Sequence, residues 1–163
     1  MLPLLTIFAL SFLPQAAADT TLPPANAHAE ISVTGKGVQI YKCTLQTNAY
    51  TWVFQEPAAD LFDTVNNLPV GTHTAGPTWT WNDSSAITGT VLQKYPSSDP
   101  DAIPWLLLEV HSIGGSGVLS NIKYVRRSDT QAGAAPSTGC DAQHADNLLK
   151  VPYQATYTFY TAP

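Results

Sequence analysis

The chain has 163 residues, enough for one ordinary domain and too few for two large ones. Seven Lys and Arg against 12 Asp and Glu leave a net charge of −5, and only 12% of residues are charged. So sparse and acidic a chain lacks the basic footprint of a nucleic-acid binder and the basic patch that docks on anionic lipid.

Met1 to Ala18 carry no charged side chain, and Leu4, Leu5, Ile7, Phe8, Leu10, Phe12 and Leu13 form a short apolar core ahead of Ala16-Ala17-Ala18. This pattern predicts a secretory signal peptide over residues 1–18 and hence a secreted, extracellular protein. The apolar core is too short to span a bilayer, so no membrane association is expected after cleavage. Residues 19–29 are Pro- and Ala-rich and read as an arm, leaving residues 30–163 as a single β-rich domain. Cys43 and Cys140 are the two cysteines, and in an oxidising compartment they are expected to pair.

Runs with strand chemistry then follow one another between turn signals. Val38 to Leu45 is β-branched and aromatic, and Ala49 to Gln55 places Tyr50, Trp52 and Phe54 on one face, with a hairpin turn at Thr47-Asn48. Pro57 to Asp63 reads as a short helical turn. Thr78 to Trp81 puts Trp79 and Trp81 on a common face, Asn82 to Ser85 is a turn, and Ala86 to Lys94 is the next strand. Trp105 to Ser112 is the most apolar run, and Gly114 to Gly117 turns it into a return strand from Val118 to Arg126. Ser128 to Pro152 reads as irregular, with a helical turn near Asp146 to Leu149. The tail alternates, with Tyr153, Ala155, Tyr157 and Phe159 on one face of a half-buried strand. Seven to nine short strands without a long amphipathic helix predict an all-β fold: an antiparallel β-sandwich or barrel-like domain with long loops and one disulfide.

Four segments resemble the domain-of-unknown-function 3455 family of secreted bacterial and fungal proteins. They are Gly37 to Cys43, Val70 to Trp79, Ile103 to Leu108 and Val151 to Phe159, with Ala135-Pro136 and Gly139-Cys140 in keeping. The resemblance implies secretion and a single domain and carries no catalytic residue. The chain departs from it after Trp79, where the family shows Asp-Gly-Ser and this sequence has Asp83-Ser84-Ser85.

Two constellations could carry chemistry. The first is the segment Gly71 to Trp79, a shaped loop in which His73 precedes Trp79 and Trp81; His73 could act on a ligand or simply hydrogen-bond the backbone. The second is Glu109 and His111, which share a strand face and could pair as acid and base, or form the solvated side of a strand whose other face is core. His73, Trp79, Trp81, Glu109 and His111 are therefore the candidate ligand-binding residues. Exposed tryptophans would suit stacking on sugar rings. Asn82-Asp83-Ser84 is an N-glycosylation sequon. The expected function is a non-catalytic binding or surface-associated module for a carbohydrate or small ligand. The alternative is a metal-binding protein or metalloenzyme centred on His73 and His111. No dinucleotide or phosphate fingerprint occurs, and no cofactor is expected. No G-x-S-x-G elbow marks a serine hydrolase, and nothing selects a glycosidase pair from Glu56, Asp60, Asp63, Asp83 and Glu109.

Overall fold

The computed structural model describes residues 18–163. The signal-peptide segment lies outside the described residues except for Ala18. The strands are β1 (His28–Gln46), β2 (Ala49–Asp63), β3 (Pro69–Thr74), β4 (Thr78–Trp81), β5 (Ala86–Tyr95), β6 (Trp105–Gly114), β7 (Ile122–Ala132) and β8 (Leu148–Thr161). Each pairs antiparallel with the next, and β8 returns to β1, so the sheet is a closed barrel with no free edge. Of the two architectures predicted, the barrel is the one formed.

Alternation decides which side chains fill it. Val33, Gln39, Tyr41, Ala59, Leu61, Trp79, Ile87, Leu108, Val110, Val125, Tyr153, Ala155, Tyr157 and Phe159 are buried, while their strand neighbours Lys36, Asp60, Thr72 and Glu109 face out and are exposed. The tail alternation of Tyr153 to Phe159 therefore faces inward, as expected. Glycine makes room for its bulk: a Cβ on Gly35 would stand 2.5 Å from Cε2 of Tyr157, so only glycine lets that ring lie across β1.

Several local expectations are corrected. Pro57 to Asp63 is not a helical turn but the second half of β2, a strand of 15 residues. Pro57, Ala59 and Leu61 are buried between exposed Ala58 and Asp60, and pairing with β1 outweighs the helix propensity of the alanines. The loop expected around His73 is the strand β3. The return strand begins at Ile122 rather than Val118 and runs on through Arg127 and Ser128 to Ala132. No helical turn forms near Asp146, because Leu148 and Leu149 already pair with β1. His28 and Ala29, expected in the arm, open β1, which spans 19 residues.

The two ends of the barrel are finished differently. At one end the β6–β7 connection folds inward and buries Leu119 completely. Ser85 Oγ accepts from the Leu119 amide at 3.1 Å, and the Asp83 carboxylate accepts from the Val118 amide at 2.8 Å and the Ser85 amide at 2.9 Å. The intervening Ser84 sits at a φ of 70°, the left-handed region that glycine adopts most freely. At the other end the long β7–β8 connection is drawn over β1 and β2. The Cys43–Cys140 disulfide pins it, the Trp52 indole N–H donates to Thr138 O at 2.9 Å, and the Tyr41 hydroxyl donates to Gly133 O at 2.6 Å.

Candidate functional site

A cavity of about 340 Å³ sinks into the disulfide end of the barrel. Its rim comes from β2 (Phe54, Gln55), the β3–β4 turn (Gly76, Pro77) and β5 (Val91), all exposed but the half-buried Pro77. Its floor is buried: His73, Trp79, Leu108, Tyr157 and Arg127. Barrel pleating alone places those floor residues together, since each occupies an inward position on a different strand. A register shift in the β1–β2 ladder beside Ile40 and Tyr41 leaves Gln55 unpaired as a bulge, which carries β2 into the rim.

His73 and Trp79 face each other across the β3–β4 pair, their rings stacked at 4.4 Å between centroids and 8° between planes. Tyr157 meets both edge-on, at 5.1 Å and 5.9 Å. His73 Nδ1 lies 2.9 Å from Thr78 O. A carbonyl only accepts, so Nδ1 carries the proton, and in the neutral ring Nε2 is left as an acceptor. Burial drives the His73 pKa down to about 3; the Thr78 carbonyl opposes this and the nearby Arg127 charge adds to it. The imidazole is therefore neutral at any physiological pH.

Arg127 is the one charged residue buried among the described residues, with 9% of its surface exposed. Its Nε and Nη2 donate to Pro104 O at 3.1 and 2.9 Å. The ion pairs among the described residues are Lys42–Asp146, Arg126–Asp19 and His144–Asp141, so no carboxylate opposes Arg127. Beside it the Tyr153 and Tyr157 hydroxyls meet at 3.0 Å, and burial raises both phenol pKa values, so both stay neutral. The indole N–H of Trp79 has no acceptor in the protein.

The structure brings together two of the sequence-derived candidates, His73 and Trp79. Trp81 lies further along the interior, edge-on to Phe159 at 6.2 Å, outside the cavity. Glu109 and His111 are exposed on the outer face of β6 and do not join His73. Among the described residues no three His, Cys, Asp or Glu side chains cluster as metal ligands would. The carboxylates weighed for a glycosidase stay out of the cavity: none of Glu56, Asp60, Asp63, Asp83 and Glu109 lines it. Asn82 is exposed in the β4–β5 turn, its Nδ2 donating to Pro69 O at 2.9 Å. Arg127 was missed because the sequence reading ended the strand at Arg126. The available signal was parity, since Arg127 is two residues beyond Val125 and must share its face.

An eight-stranded antiparallel ring with a cavity sunk into one end defines a small up-and-down β-barrel with an internal pocket. The family described as protein of unknown function (DUF3455) matches residues 23–161, and the chain belongs to it. No curated protein and no solved structure matches the chain.

Proposed function

We propose that the chain is a secreted, non-catalytic binding protein that holds one small, largely apolar organic molecule inside the barrel. The carrying observation is the cavity itself, whose volume lies within the range of small-molecule sites, about 300–1,000 Å³. Its walls are mainly Phe54, Pro57, Pro77, Trp79, Val91, Leu106 and Leu108, with polar groups confined to a few positions. A carbohydrate, with hydroxyls on every side, would bury most of them against carbon, so the small-ligand reading is favoured over the sugar reading. A neutral His73 with Nδ1–H committed to Thr78, and no carboxylate in the cavity, support binding rather than catalysis. The disulfide fits an extracellular setting, and the outward Lys36, Thr72, Gln154, Thr156 and Thr158 are the reverse of the apolar band with which a barrel faces lipid.

N-phenyl-1-naphthylamine, a neutral fluorophore that brightens in apolar surroundings, tests the reading. The wild-type protein is expected to bind one equivalent, and Val91→Trp at the rim to block it while keeping the wild-type melting temperature. A fluorophore that stays dark with the wild type, or binds Val91→Trp equally well, overturns the proposal.

A further inference from the structure

Among the described residues, the barrel interior holds a cation and no anion. Arg127 is buried, points inward from β7 with the parity of Val125, and lines the cavity beside Tyr157. Two of its five N–H groups are used on Pro104 O, and the Tyr157 hydroxyl is a further hydrogen-bond partner beside it. A guanidinium stays charged at all accessible pH, and a buried charge without a counter-ion is costly. Tying down one carbonyl does not explain it, because a neutral amide or hydroxyl donor could bond Pro104 O without that cost. The Trp79 indole, also a cavity residue, is a buried donor without an acceptor, as are the Gln39 amide and the Trp105 indole outside the cavity. The polar demand of this pocket is thus for lone pairs and negative charge, while its walls demand hydrocarbon.

We infer that the ligand is an organic monoanion, a planar carboxylate head with an apolar tail, whose carboxylate pairs with the Arg127 guanidinium while the tail lies between Leu106, Leu108, Val91 and Phe54. This inference rests on the binding function proposed above and names the ligand class of that same cavity. The chain as a whole is acidic, with a net charge of −5, so long-range attraction does not select such a ligand. Selection is local, by replacing the water around one buried cation with a matching fork of oxygens.

The test is displacement of bound N-phenyl-1-naphthylamine at pH 7 by decanoate and by decanamide, which share a tail and differ in charge. Wild-type protein is expected to prefer decanoate by about tenfold or more, the usual worth of a charge-assisted hydrogen bond. Arg127→Met, similar in bulk and uncharged, is expected to lose the preference, so that decanoate and decanamide displace the fluorophore about equally. Equal displacement by the two compounds in the wild type overturns the inference while leaving the binding function standing. A preference that survives in Arg127→Met also overturns it, because the anion would then be held elsewhere. If Arg127→Met does not fold, Arg127→Gln takes its place with the same expectation, and the wild-type comparison decides without either variant. A wild type that binds no fluorophore removes the binding function and the inference with it.

Discussion

The two ends of this barrel solve the same problem with opposite chemistry. At the Leu119 end, short connections and local hydrogen bonds close the interior: Asp83 and Ser85 hold the β6–β7 connection in place, and one leucine fills the hole. At the Cys43 end, a long connection is held by a covalent bond across 97 residues of sequence and by side-chain bonds to its backbone, and the interior stays accessible beside it. The contrast teaches that a closed end can be built from turn residues and one apolar plug. An end that keeps a cavity gives up that packing, and stability must come from elsewhere.

Removing the disulfide by Cys43→Ala with Cys140→Ala should break the comparison most sharply. In the chain-entropy picture a loop of this length contributes about 4–5 kcal/mol, and urea unfolding should show a loss of that order. Amide exchange should quicken first in the β7–β8 connection and last around Leu119. Leu119→Ala attacks the other end and should cost about 3 kcal/mol by the same measurement, since a fully buried leucine leaves a cavity behind. Ligand binding at the far end should persist in the folded fraction.

Between pH 7 and pH 5 the open end also carries a pH dependence that the closed end lacks. His73 has a folded pKa of about 3 against 6.5 unfolded, with Trp79 stacked on it and Tyr157 and Arg127 its polar neighbours. The unfolded chain therefore binds the extra proton as pH falls below 6.5, so the stabilising neutral state is fully present above that pH and is lost below it. Between pH 7 and pH 5 this amounts to about 2 kcal/mol. The lowered carboxylates Asp19, Asp63, Asp83 and Asp141 remain ionised over that window and do not contribute. His73→Asn, which keeps a donor for Thr78 O, should flatten the slope in unfolding curves measured across that range. The smallest effect belongs to the closed end: Ser84→Gly should raise stability by about 0.5–1 kcal/mol, seen as a higher melting temperature, because Ser84 occupies a left-handed conformation at φ 70° that glycine adopts freely.

Much of the barrel wall was legible where polar and apolar residues alternate cleanly, as in Tyr153 to Phe159 and in Leu106, Leu108 and Val110 against Glu109 and His111. It was illegible where small residues hide the period. Ala58-Ala59 in β2 and Gly71 in β3 present little side chain to read, and both segments are strands only because β1 and β4 pair with them. The candidate site was half legible. His73 stands out among two glycines and a proline ahead of Trp79 and Trp81, whereas Arg127 falls just past the expected end of a strand. Parity with Val125 was the only local signal; which face of β7 turns inward follows from a register fixed by β6 and β8, residues far away in sequence.

By itself, the sequence determined an all-β chain with long loops and one disulfide, because alternation, turn chemistry and a lone cysteine pair are local or compositional properties. Only the tertiary structure decided that the sheet closes, that His73 and His111 lie on opposite sides of its wall, and that Arg127 stands inside without a counter-ion among the described residues. Closure and facing depend on strand register, and register is a property of pairs of segments that no single segment carries.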